Sequence, residues 1–267
     1  MEEHKNNTAR LIIGTSGYSY PDWVGTFYPP NLSRKDFLKY YTTYFDGVEL
    51  NYTYYSPPKA KTLEKMVNQT PRDFVFSVKA HKSFTHERKE ITSSSVKDFL
   101  TQLQPLKESN KLAVVLLQFP YSFHYTKQNR YFLCKLLDNF REVPLAVEFR
   151  NKEWQRDSVI KELRDRDISY VNVDLPSLKN LPSPTGIITS HIGYLRFHGR
   201  NSDNWWSGNN VSRYDYRYTD EELNQWILPI KRMLSTSSLL LVFFNNHRNG
   251  KATQDAKKLK SLLRSAY

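Results

Sequence analysis

Three short segments of this 267-residue chain alternate charged or amide side chains with apolar ones: Glu49-Leu-Asn51, Glu148-Phe-Arg150 and Arg196-Phe-His198-Gly-Arg200. In a β-strand, residues two apart share a face, so each segment would aim two or three polar groups into one space. Carboxylates and a histidine placed this way suit proton transfer. Arginine forks suit pairwise binding of phosphate or carboxylate oxygens. The plainer reading is that these groups neutralise one another as buried ion pairs, and for any one residue the two readings carry equal weight.

Strands must hold these groups, and the chain supplies eight candidates: 11–14, 47–50, 74–78, 112–117, 145–149, 170–173, 193–197 and 239–244. LAVVLLQF and LLLVFF are continuous apolar runs, as parallel strands covered on both faces require. Helical patterns separate them. The segment 33–45 places Phe37, Tyr40, Tyr41 and Tyr44 at helical spacing behind Ser33 as N-cap. Pro57 and Pro58 suit the first turn of a helix running to about Asn68. Further helices are expected over 95–107, 126–140, 154–166 and 253–264, with a capping box at Thr219 to Glu222 opening one that reaches Leu234.

Strands alternating with helices predict α/β architecture with a parallel sheet. No GxGxxG or P-loop occurs to favour a doubly wound open sheet. The expectation is therefore one domain over 1–267, a (β/α)8 TIM barrel, with 1–9 as a flexible tail. Three loops break the rhythm: 80–92 after strand three, the Pro- and Ser-rich 175–188 after strand six, and 201–218 after strand seven. The last carries Trp205, Trp206 and RYDYRY (213–218), whose rings could stack on bases or sugars, or pack beneath their own loop.

Barrel enzymes work at the carboxyl ends of their strands. Those ends offer Ser16 and Tyr18 (strand one), Glu49 and Asn51 (two), Lys79 (three), Gln118 (four), Glu148 and Arg150 (five), and Asp174 (six). Strand seven adds Arg196, His198 and Arg200, and strand eight adds Asn245 and Asn246. Every one of the eight strands ends in polar groups.

The stretches GTSGYSYPDWVGTFYPP (14–30), FDGVELNYTYYSPP (45–58), FVFSVKAHKSFTH (74–86), LLQFPYSF (116–123), LAVEFRNKEW (145–154), YLRFHGR (194–200) and FFNNHRNGKATQDA (243–256) run nearly the length of the chain. Through them the sequence resembles the YecE-like family, also catalogued as domain of unknown function 72. The resemblance implies a TIM-type barrel and brings no settled reaction. Tyr54 stands where that family's pattern leads one to expect Phe, an exchange of one aromatic for another.

Lys and Arg number 39 against 27 Asp and Glu, a net charge of +12, which favours anionic partners. Much of this charge falls on amphipathic helices, so it is weak evidence for nucleic acid. The favoured function is an enzyme or recognition site for a phosphorylated or otherwise anionic small molecule, with nucleic acid as a variant. In that reading Glu49 or Glu148 acts as base and His198 as acid or base. Lys79 and Asn245 orient the substrate, and Arg150, Arg196 and Arg200 bind its charge. The other strand-end residues and Trp205 would complete its binding. Metal-free acid–base chemistry on a carbohydrate, using Glu49 and Glu148 as a pair, and a non-catalytic anion-binding protein are the alternatives. No cofactor is expected. A divalent metal on Glu49, Glu148, Asp174 and His198, with His81, His86 and His247 near, is disfavoured by arginines competing for the carboxylates and by the absence of HxH or HExxH spacing.

No apolar stretch is long enough to span a bilayer. The polar start and the single cysteine, Cys134, expected as a buried inert thiol on a helix face, point to the cytoplasm. Oligomeric state is not legible.

Overall fold

The computed structural model describes residues 9–88 and 91–265. Of the expected tail over 1–9, all but Ala9 lies outside the described residues. Eight parallel strands form a nearly closed barrel with helices between them: β1 (Arg10–Thr15), β2 (Gly47–Leu50), β3 (Val75–Lys79), β4 (Leu112–Phe119), β5 (Leu145–Phe149), β6 (Ser169–Asp174), β7 (Ile192–Phe197) and β8 (Leu239–Phe244). All eight expected strands are present, and the (β/α)8 TIM-barrel class with them.

Alternation divides the apolar residues into two layers. Ile12, Val75, Val114, Leu116, Ala146, Val171, Val173, Tyr194, Leu241 and Phe243 fill the barrel's interior. Their sequence neighbours, among them Ile13, Val48, Phe76, Val115, Leu195 and Phe244, point outward and pack against the helices. Inward positions beyond the apolar layer meet only one another and the mouth, so polar residues gather there.

The barrel closes between β1 and β2 without a ladder. A bridge pairs Ser16 with Glu49, and the Gly17 amide donates to the Glu49 carbonyl at 2.7 Å. The strands pass so closely that a Cβ on Gly14 would lie 2.2 Å from the Gly47 carbonyl oxygen, a position only glycine can fill. Buried Tyr41, from the helix Phe37–Tyr41, places its hydroxyl in the seam. It lies 2.9 Å from the Thr15 amide, which donates to it, and 3.3 Å from the Gly47 carbonyl.

The helices are shorter than expected. Ser33 precedes a 3-10 turn, Arg34–Asp36, before the helix. Pro57 and Pro58 lie ahead of Ala60–Asn68 instead of in its first turn. The expected 95–107 helix divides into Ser93–Gln102 and Gln104–Glu108, where Pro105 lacks the amide to continue the first. The 154–166 segment begins as a 3-10 turn, Lys152–Trp154, before the helix Asp157–Asp165. The Thr219–Glu222 capping box forms, with bonds of 3.2 and 3.0 Å, although its helix breaks between Asp220–Asn224 and Ile227–Ser235. Cys134, on Lys127–Asn139, is only partly buried.

All three expected irregular loops are present. Between β6 and β7 no helix forms among the described residues. Instead the side-chain oxygen of Asn172, Oδ1, accepts from Thr185 Oγ1, Gly186 N and Ile187 N at 2.7–2.8 Å, which pins the loop over the outer face of β6. The 80–92 loop contains one π-helical turn, Ser83–Glu87. The 201–218 loop is anchored: Trp205 is buried in the interior cluster, and Asp215 pairs with Arg248 at 2.8 Å and Lys251 at 2.6 Å. Among the described residues, no helix is long and apolar enough to cross a membrane.

Candidate functional site

The polar layer at the carboxyl ends of the strands has two levels. The lower one is built on Arg196, 1% exposed, whose guanidinium joins Glu49 Oε1 at 2.6 Å to Glu148 Oε2 at 2.5 Å. Ser16 Oγ lies 3.4 Å from the same guanidinium. Tyr194 donates to the other Glu49 oxygen at 2.6 Å, with Ser77 Oγ 2.7 Å behind it. Arg150 Nε binds Glu148 Oε1. Two carboxylates buried in this way need such partners, because an unpaired charge in the interior is strongly unfavourable.

Electrostatics follow from that pairing. Burial alone would raise the Glu148 carboxyl, but Arg150 and Arg196 hold it well below the usual carboxylate range. Burial, reinforced by the Arg150 charge, pushes His198 well below the ordinary histidine value. The neutral ring fits its contacts. Asn245 Nδ2 is 3.1 Å from Nδ1, while Arg150 Nη2 at 3.1 Å and Glu148 Oε1 at 3.3 Å both approach Nε2, so donors meet both edges of the ring and leave little need for a second ring proton.

Above this lies an open cavity of about 420 Å³. Its cationic lining is Lys79, Arg150 and Arg213, with His86 and His247, and among the described residues no Asp or Glu lines it. Lys79 Nζ donates to Gln118 Oε1 at 2.8 Å and sits 4.3 Å over the Tyr54 ring. Burial first, then the Arg196 charge, push its ammonium down to about 7. Burial and Lys79 push His86 down to about 4. The Arg150 and Arg213 guanidinium carbons each lie 5.8 Å from the Trp205 ring. Two lining groups lack partners: Asn51 Oδ1 and Arg213 Nε are buried without a hydrogen bond among the described residues. Buried polar atoms are normally satisfied, so this acceptor and donor are candidates for contact with a ligand.

The expected site residues therefore separate into three groups. Asn51, Lys79, Gln118, Arg150, Trp205 and Asn245 line the cavity. Ser16, Glu49, Glu148, Arg196 and His198 form its sub-floor, all of them buried. Tyr18, Asp174, Arg200 and Asn246 are not brought to it. Asp174 pairs in register with outward-facing Phe197, whereas Arg196 pairs with Val173, so the carboxylate faces the helices. There it accepts from Tyr218 and Trp226, both at 2.7 Å, and from Arg200. Arg200 leaves the face of Arg196 because β7 ends at Phe197 and Gly199, at φ +86°, turns the chain. Asn246 points outward to Asp255 at 2.7 Å, and the Tyr18 ring packs against Tyr41.

The four residues considered for a metal do not converge, since Asp174 is on the opposite face and Arg196 occupies both glutamates. Among the described residues no three His, Cys, Asp or Glu side chains gather as a metal-ligand group. His86 and His247 line the cavity, while His81 is turned to Ser83 at 2.9 Å. Of RYDYRY only Arg213 and Tyr214 reach the cavity. Tyr20, Tyr54, Tyr55, Tyr121 and Leu181 also line it. They sit in loops and short helices where no strand alternation marks a face, so only proximity in the fold reveals them.

The family model described as "Protein of unknown function DUF72" matches residues 12–267. The chain belongs to the DUF72 family. A relative, UPF0759 protein YunF of Bacillus subtilis, is 32% identical, with 96% of each chain covered. The structure of a DUF72 protein from Thermotoga maritima superposes with a TM-score of 0.87 at 37% identity, covering 96% of this chain and 99% of that one. A DUF72 protein from Enterococcus faecalis gives 0.85 at 24% identity, covering 96% of each, a likeness of fold.

Proposed function

We propose that this DUF72 barrel binds a phosphorylated or otherwise anionic small molecule in its mouth cavity and acts on it there. The observation that carries the reading is the charge of the walls: Lys79, Arg150 and Arg213, with no lining carboxylate among the described residues. The acidic groups that would cancel this charge are held below the floor by Arg196. Arg150 and Arg213 grip the anion, and Asn51 Oδ1 accepts a hydroxyl or amine of the same molecule. Glu148 and His198 act through the Asn245 amide, which reaches both His198 and the cavity.

The carbohydrate alternative is weakened by the same geometry. A glycosidase pair must face its substrate, whereas Glu49 and Glu148 share one arginine and are fully buried. A nucleoside phosphate, free or at the end of a single strand, is a second reading favoured by the rim. Trp206, on a loop, and Tyr55, at the end of the short helix Tyr52–Tyr55, line the cavity yet remain 52% and 65% exposed, available to stack on a base.

Titration of the protein with sulfate and pyrophosphate, followed by calorimetry, tests the reading. The wild type should bind, and Arg213→Ala should weaken binding about 10- to 100-fold, the worth of a hydrogen bond to a charged group. Affinity unchanged in Arg213→Ala, or no binding by the wild type, would overturn it.

A further inference from the structure

We propose that Lys79 is an imine-forming lysine that attacks the carbonyl carbon of an anionic aldehyde or ketone held in the mouth cavity. The proposal rests on the anion reading above and names the chemical class of the substrate.

The argument begins with how the amine is held. Lys79 ends β3 in inward register, two residues beyond interior-facing Ser77. Among the described residues it is the one primary amine that lines the cavity. Its Nζ has, among the described residues, a single oxygen partner, Gln118, and one aromatic face, Tyr54. Among the described residues no carboxylate lies within ion-pairing distance of it.

Lys111 shows what a structural lysine looks like in the same protein. Its Nζ donates to Val67 O, Thr70 O and Thr70 Oγ1, each at 2.9 Å. All three hydrogens of that ammonium are used in fixed hydrogen bonds. Lys79 has no such set, and it shares its surroundings with Arg150 and Arg196. Desolvation and neighbouring cations are the two devices that free a lysine lone pair at neutral pH, and here they bring the amine to about 7.

The step balances without an added reagent. The neutral amine adds to the carbonyl carbon, forming the C–N bond while the π pair moves to oxygen. The two amine hydrogens leave with that oxygen as one water, and the nitrogen lone pair closes the C=N bond. Protonation of the imine from solvent gives an electron-withdrawing iminium. This loosens a proton, carboxylate or carbon–carbon bond on the neighbouring carbon. Arg150 and Arg213 hold the anionic end.

The experiment is reductive trapping on the full-length protein. Dihydroxyacetone phosphate, pyruvate and neutral dihydroxyacetone are each incubated with cyanoborohydride, and the adducts are mapped by peptide mass spectrometry. The expected result is a Lys79 adduct with an anionic probe, at least tenfold above any other lysine and suppressed by excess sulfate. Lys79→Met and Lys79→Arg should lack it, the second keeping the charge, with folding of both checked by circular dichroism. Labelling spread evenly over the lysines, or no Lys79 adduct with either anionic probe, would overturn the imine proposal. The anion reading would survive that result if sulfate still binds. Equal Lys79 labelling by dihydroxyacetone, unprotected by sulfate, would instead overturn the anionic part while supporting a reactive amine.

Discussion

Arg196 on β7 and Glu49 on β2 meet across the barrel mouth at 2.6 Å, both fully buried. The pair spans non-adjacent strands, and the same guanidinium continues to Glu148 on β5. It therefore cross-braces the end of the barrel beneath the cavity.

Removing that brace should cost stability before anything else. Arg196→Ala leaves two buried carboxylates without their shared cation, and breaking buried pairs in this way costs about 3–5 kcal/mol. Urea denaturation should show a loss of that order. A variant with unchanged stability and weakened sulfate binding would instead make Arg196 a ligand group.

One hydroxyl, that of Tyr41, adds to the bonds that close the seam between β1 and β2. Tyr41→Phe leaves the Thr15 amide buried without its acceptor, an omission worth about 1–3 kcal/mol. Amide exchange at Thr15 should accelerate, and denaturation midpoints should fall, with sulfate affinity retained.

Asp174 stabilises the outer face and should be separable from the site. Asp174→Ala removes the shared acceptor of Arg200, Tyr218 and Trp226, and a loss of roughly 3–5 kcal/mol is expected for a broken buried charge network. Near-ultraviolet circular dichroism should report the released Trp226. Sulfate affinity, measured well below the melting temperature, should change less than twofold.

Anion binding should weaken as pH rises through about 7, because Lys79 is cationic below that point and neutral above it. Sulfate is the right probe, since its own charge is constant over the range. Lys79→Met should flatten this profile. The same depressed value sets a stability trend. Between about 7 and the ordinary lysine range the unfolded chain binds a proton that the folded one does not, so folding stability attributable to Lys79 rises with pH across that window. Wild type minus Lys79→Met, in denaturation at pH 6, 8 and 9.5, should show that slope.

By itself the sequence determined the eight strands, and with them the barrel, because parallel strands covered on both sides must be apolar throughout and leave unmistakable runs. It also determined that Glu49, Lys79, Gln118, Glu148, Arg196, His198 and Asn245 share the inner face, since alternation is local geometry. Alternation extended past the strand failed at Arg200, where Gly199 turned the chain. Register decided against Asp174: only the pairing of β6 with β7 shows that it stands beside Phe197 and not Arg196. Height along the axis was likewise invisible, because Arg150 and Arg196 have the same local pattern. One lines the cavity and the other lies beneath it, spent on two carboxylates from distant strands. Which charges face a ligand and which neutralise each other depends on distances between residues about 50 to 150 positions apart, and those exist only once the barrel has closed.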